Sequence, residues 1–253
     1  MKISKMSIAM RKLFVSIIIL ASFLSCHRQA PQVLSVQTES IAIDGKLDSI
    51  ADESYLQHLA PIKEDLAKVM DVQIGYAPER LWIGEPECPL LNWATEALWA
   101  AAKKTYPGTV DMAVSNMGGL RSEWPAGPVT RGNVYEMMGF DNKLVVITLK
   151  GSDIIELCES FVKYGGQGVA GLRMTAVDGK LGDVTIGGEP VDNNRLYKVA
   201  TSDYLTGGAD HMTALTHYSD FWNSDILIRD IYLEAVETQD TIRAQVDGRM
   251  NIL

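Results

Sequence analysis

Between Val110 and Lys150 the chain reads VDMAVSNMGGLRSEWPAGPVTRGNVYEMMGFDNKLVVITLK, and no other stretch narrows its fold so far. The apolar run Val110 to Val114 predicts a buried strand. It breaks into Asn116-Met117-Gly118-Gly119-Leu120-Arg121. The paired glycines, Gly118 and Gly119, would let the backbone take positive φ and approach a ligand with no side chain between. Asn116 brings both a donor and an acceptor, and Arg121 a planar fork suited to phosphate or carboxylate. Taken alone this is an ordinary turn, because Asn and Gly favour turns for conformational reasons. Further on, Pro125-Ala126-Gly127-Pro128 predicts another turn, Val134–Met138 a short helix and Leu144–Leu149 a second strand.

Elsewhere, Val36–Leu47 predicts a strand, Asp48–Leu59 a short helix, Ile62–Val69 a helical turn after Pro61, and Asp71–Tyr76 a strand. Pro89 opens a helix whose apolar Leu90, Leu91, Ala94, Ala97 and Leu98 recur at helical spacing up to Lys103 or Lys104. Gly151-Ser152-Asp153 starts another, with Ser152 as the expected cap and Glu156 near the capping-box position, ending at Gly165-Gly166. Leu172–Val177, Gly182–Ile186 and Leu196–Ala200 read as strands, Ile226–Val236 as an amphipathic helix, and Ile242–Ile252 as a last strand interrupted at Asp247-Gly248. Strands and helices mix without strict alternation, which predicts an α+β, or mixed α/β, fold in several layers.

The longer pattern is specific. SNxGGxR, then PAGPxTxGxVYExxxF and LVVxxLKGSDI, followed downstream by VATSDYLTGGAD (Val199–Asp210), resembles the C-terminal domain of the 5'-nucleotidase family. The likeness runs from about Val72 to the C-terminus, where VDGRMNI is similar to that domain's closing segment. The resemblance implies that Asn116 hydrogen-bonds a nucleobase and Arg121 holds phosphate. It implies further that Phe140 and Tyr204 sandwich the base, and that Asp210 accepts from ribose hydroxyls. In one place the sequence departs from the family. Where the family usually has R-x-R-E-x-N-x-G-N, this chain has Gly84-Glu85-Pro86-Glu87-Cys88-Pro89-Leu90-Leu91-Asn92. Glu87 and Asn92 are kept, both arginines are gone and Glu85 is added, a change that weakens any grip on phosphate.

Members of that family with the full length hydrolyse phosphate esters at a two-metal centre in a separate N-terminal domain. The four histidines here, His27, His58, His211 and His217, fall in no H-x-H, D-x-H or N-H-D/E arrangement. The expectation is therefore no cofactor in this chain, with the divalent metals held by a separate metallophosphatase partner. Gly166-Gln167-Gly168-Val169-Ala170-Gly171 fits G-x-G-x-x-G, but a helix precedes it and a strand follows, the reverse of what a dinucleotide fingerprint requires.

The first residues carry a different message. Lys2, Lys5, Arg11 and Lys12 precede the apolar run Leu13–Leu24 and then Ser25-Cys26, the layout of a secretory signal too short to span a membrane. Phe23-Leu24-Ser25-Cys26 resembles the processing box of a bacterial lipoprotein, with Cys26 as the acylated residue. The expected organisation is residues 1–26 signal, 27–35 tether and 36–253 domain, on an exported, membrane-anchored lipoprotein at the periplasmic side or cell surface. That signal holds four of the 23 basic residues and none of the 32 acidic ones, leaving 19 against 32, a net −13. So acidic a surface argues against DNA, RNA or anionic lipid headgroups as general partners, while the family resemblance implies a nucleotide or nucleoside as the ligand. The remaining cysteines, Cys88 and Cys158, allow one disulfide in an oxidising compartment, but each sits in or beside an apolar stretch, which favours two buried free thiols.

Overall fold

In this computed structural model, residues 10, 12–17, 35–40 and 52–253 are described. They fall into two units, Met1–Asp52 and Glu53–Leu253. Of the first, residues 12–17 are helical and exposed and residues 35–40 irregular, so the strand expected over Val36–Leu47 is absent over 36–40. Cys26, residues 27–34 of the tether and the rest of that expected strand lie outside the described residues. No described helix is long and apolar enough to cross a membrane.

The second unit begins with helix α1 (Glu53–Met70) and strand β1 (Gln73–Ala77). Next come α2 (Pro89–Thr105), β2 (Met112–Ser115), β3 (Gly127–Thr130), α3 (Arg131–Met137), β4 (Lys143–Lys150) and α4 (Gly151–Tyr164). Strands β5 (Gly168–Ala170), β6 (Leu172–Val177), β7 (Lys180–Ile186), β8 (Glu189–Pro190) and β9 (Leu196–Ser202) follow. The chain closes with β10 (Phe221–Leu227), α5 (Ile228–Gln239) and β11 (Met250–Ile252).

The central sheet has the order β10-β4-β9-β2-β5. Its strand β4, KLVVITLK, is apolar on consecutive positions because both faces are covered. Leu144 and Val146 face a core built with Leu90, Leu91 and Leu98 of α2 and Ile231 and Val236 of α5. Val145, Ile147 and Leu149 face a second core with Ile154, Leu157 and Phe161 of α4 and Met174 and Ile186 of the four-stranded sheet β11-β6-β7-β8. The result is a layered mixed α/β fold, as the sequence predicts.

Local chemistry fixes the boundaries. Pro89 takes the first turn of α2, where no N–H is needed. Gly165 closes α4 in the left-handed conformation at φ +90. Asp178-Gly179 (φ 50 and 69) turns β6 into β7, and Gly187-Gly188 (φ 60 and 89) turns β7 into β8.

Several expectations fail. The two helical pieces around Pro61 are one helix, α1. The residues flanking Pro61 are exposed, so the hydrogen bond a proline cannot donate is not lost inside a core. Ser152 does not cap α4: the helix starts at Gly151, and Asp153 instead accepts from the Lys150 backbone N–H at 3.3 Å. Pro128, expected in a turn, lies in edge strand β3, paired with β1. Phe221–Leu227 is a strand that sequence reading missed. Of Ile242–Ile252 only Met250–Ile252 is a strand, because the segment before it is held by side chains.

Candidate functional site at the end of the central sheet

Strands β2 and β9 are parallel, and β4 runs antiparallel to β9, so the C-terminal ends of β2 and β9 and the N-terminal end of β4 share one edge. Asn116 follows β2, Tyr204 follows β9 and Phe140 precedes β4. Sheet topology therefore gathers residues that lie far apart in sequence.

The turn after β2 is a short 3-10 helix, Met117–Gly119. Contrary to expectation, neither Gly118 nor Gly119 has positive φ. Gly119 instead leaves room for the Asn116 amide: a Cβ there would lie 2.8 Å from Asn116 Oδ1 and push that group aside. The Asn116 amide donates to the Asp210 carboxylate, and a Cβ on Gly118 would lie 3.7 Å from Asp210 Oδ2. Gln167 holds the turn from behind, its Oε1 accepting from the Met117 backbone N–H at 2.8 Å. Arg121 donates from Nη1 to Gly118 O at 3.2 Å, and its guanidinium stands 5.9 Å from the centre of the Phe140 ring.

The two expected base-stacking rings are open to solvent, Phe140 at 43% and Tyr204 at 50%. Asp203 ties their loops together by accepting from the backbone N–H of Lys143 (3.0 Å) and of Tyr204 (2.8 Å). Asp210 and His211 both adopt left-handed backbone, at φ 51 and 63, which non-glycine residues rarely do. What holds them comes from α4: the Tyr164 ring stacks on His211 at 3.8 Å and 8°, and Ser160 donates to the His211 carbonyl at 2.6 Å. Such strain persists only where surroundings over-determine it. Sequence reading missed Gln167, Asp203, Ser160, Tyr164 and His211. Asp203 stood inside the VATSDYLTGGAD block, His211 directly after it, and Gln167 inside the rejected glycine motif.

Beneath Asn116 lies a cavity of about 10 Å³ lined by Gly119, Leu98, Met138, Ser202 and Tyr232, at the limit of one water. That cavity is far too small for a nucleoside, so a larger ligand would have to lie on the solvent side, where Phe140 and Tyr204 are exposed. A wider cleft of about 510 Å³ opens beside Arg249, whose guanidinium is already paired. Arg249 donates to Asp247 Oδ2 at 2.7 Å, to Glu96 Oε1 at 2.8 Å and to Val169 O at 3.0 Å.

Glu87 and Asn92 are buried structural fasteners. Asn92 donates to Glu87 at 2.6 Å and to Gln245 O at 2.9 Å, while Glu87 accepts from the backbone N–H of Asp247 at 2.8 Å. Upstream, where family arginines would stand, Glu85 lies so close to Gly165 that a side chain at 165 would collide with its carboxylate.

The thiols of Cys88 and Cys158 are free and buried. Burial pushes Cys158 up to about 12 and also raises Cys88. Among the described residues, Asp153, Glu156 and His217 form the one His-carboxylate group compact enough to consider for a metal. His217 Nδ1 is 3.4 Å from Asp153 Oδ1 and 3.8 Å from Glu156 Oε2, on the opposite edge of the sheet from Asn116. His58 bonds to Ser54 O and His211 lies under Tyr164, so these residues do not fit a two-metal phosphatase centre.

The architecture is that of a mixed α/β domain presenting polar and aromatic side chains from strand-end loops. The chain belongs to the 5'-nucleotidase C-terminal domain family, whose model matches residues 73–217. It is 24% identical to Protein UshA of Escherichia coli over 200 residues, covering 77% of this chain and 36% of that one. The 5'-nucleotidase precursor of Thermus thermophilus superposes with a TM-score of 0.71 at 25% identity, covering 81% of this chain and 43% of that one. The Thermus thermophilus sulfate thiohydrolase SoxB shares the fold at 18% identity and a TM-score of 0.61, covering 79% and 38%. The chain thus spans less than half the length of these relatives.

Proposed function

We propose that the chain is the nucleoside- or nucleotide-recognising part of a 5'-nucleotidase-type phosphohydrolase, acting with a separate metallophosphatase chain that holds the metals and breaks the ester bond. The observation that supports this reading is the Asn116–Asp210 hydrogen bond at the end of the central sheet where the loops carrying the exposed Phe140 and Tyr204 also emerge. In the bound state Asn116 addresses the base edge, Asp210 accepts from adjacent ribose hydroxyls, and the rings cover the faces of the base. Stacking of this kind contributes about 1–3 kcal/mol per base. Arg121 is the cation for a phosphate near Phe140.

In the same proposal the chain is exported, and Cys26 carries the lipid that anchors it to a membrane. Mass spectrometry of the mature protein should find an acylated Cys26; an unmodified N-terminus at Ala30 or beyond would refute the anchor. Reconstitution tests the function. The full chain mixed with an exported metallophosphatase chain from the same cell should hydrolyse nucleotide faster than the sum of the two alone, and purely additive activity would refute it.

A second reading has its own support. Glu85 against Gly165, with no arginine in that segment, favours a non-catalytic surface protein that binds nucleosides and nucleotides alike.

A further inference from the structure

The apolar side chains left in solvent are unevenly spread. Of the seventeen large ones exposed between residues 53 and 253, eight fall in 53–82. Helix α1 has no buried residue at all. Its Leu59, Ile62, Leu66 and Val69 recur at alternating spacings of three and four, which lines them along one side of the helix. Leu59 is half-buried, while Ile62, Leu66 and Val69 are 63%, 54% and 53% exposed. The helix meets its own domain at its C-terminal end, where a Cβ on Gly132 of α3 would lie 3.4 Å from Met70 Cβ and Arg131 N–H donates to Val72 O at 2.9 Å. An apolar stripe at this spacing is the pattern of a helix that lies in a groove of another protein.

Two occupants fit poorly. The polar side of α1 carries Glu53, Glu64 and Asp65 against Lys63 and Lys68, unlike the cationic face of a membrane-lying helix. A second copy would bring another net −13 against the same surface. Position in the chain favours a third. The stripe ends just before residue 73, where the family match begins, and the match is to a C-terminal domain. Relatives such as UshA carry well over half their length outside the matching part. Because the match is to a C-terminal domain, their remaining chain precedes the matching part, on the N-terminal side where α1 stands.

We infer that the Leu59–Val69 stripe of α1 is the docking surface for the metallophosphatase chain, whose apolar groove covers it. The inference rests on the reading of this chain as half of a two-chain hydrolase, and the experiment separates the two. Ile62 in the full chain is replaced by the photocrosslinker p-benzoylphenylalanine in its own host, and the adduct is identified by mass spectrometry. A metallophosphatase chain bearing the crosslink supports the surface, even if the purified pair fails to hydrolyse nucleotide. A crosslink to residues 1–52, to a second copy or to nothing overturns it. In the reconstituted pair, Ile62→Glu with Leu66→Glu should raise the half-saturating concentration of this chain at least about 30-fold. Nucleotide affinity of the isolated chain should not change. Hydrolysis that is restored on mixing and indifferent to both substitutions would overturn the docking surface while leaving the two-chain function standing.

Discussion

Asn116 donates its side-chain amide to the carboxylate of Asp210, 94 residues further along, and this bond joins the turn after β2 to the loop after β9. Asp210 makes it from left-handed backbone at φ 51. Replacing Asp210 by glycine relieves that backbone and removes the carboxylate together. Asp210→Gly should leave unfolding stability within about 1 kcal/mol of the parent. Nucleoside affinity should fall at least about tenfold, as expected for a lost charge-assisted hydrogen bond. Urea denaturation beside a calorimetric titration separates the two effects.

Arg121 is exposed and spends one guanidinium nitrogen on Gly118 O. Arg121→Met should weaken AMP about tenfold and adenosine hardly at all, the pattern expected if the fork serves phosphate. Equal losses for both ligands would assign Arg121 to the turn alone.

Glu87 is 5% exposed and accepts from Asn92 and from the Asp247 backbone. Glu87→Ala strands those donors in the interior and should cost about 3 kcal/mol. The measurement is the shift in urea midpoint at unchanged slope.

The Arg249 hydrogen bond is the main cause holding the Asp247 carboxyl below its usual range, despite some opposing burial. A carboxylate with a depressed folded pKa stabilises the fold at pH above its unfolded value, near 3.9, and that stability is lost as pH falls through the lower, folded value. Arg249→Met removes the main partner and leaves only Arg173 beside Asp247, so the variant should be less stable at neutral pH and show a shallower acid limb. Thermal unfolding at several pH values between neutrality and strong acid reads both.

Much of this was legible in the sequence, and the failures have causes. Strand β4 and helix α2 announced themselves through apolar pattern, because burial on two faces or one leaves a periodic trace. Asn116, Phe140, Tyr204 and Asp210 stood in recognisable motifs, and the sheet does bring their loops to one edge. Their order within the sheet was not legible, since strand pairing is set by contacts distant in sequence. The glycines were read for φ when Gly119 leaves room for the Asn116 amide. Pro61 does not divide helix α1, because at an exposed position the missing backbone donor leaves no buried carbonyl unsatisfied. Tyr164 and Ser160 support the Asp210 loop from a helix face that carries no motif at all.

Calorimetric titration of the full chain with adenosine and AMP, beside the Phe140→Ala, Tyr204→Ala double variant, tests the central claim most directly. The account predicts saturable one-to-one binding by the parent, and in the double variant, whose fold is intact because both rings are exposed, a loss of at least about 30-fold. Heat that is absent for both ligands, or undiminished when both rings are removed, would contradict it.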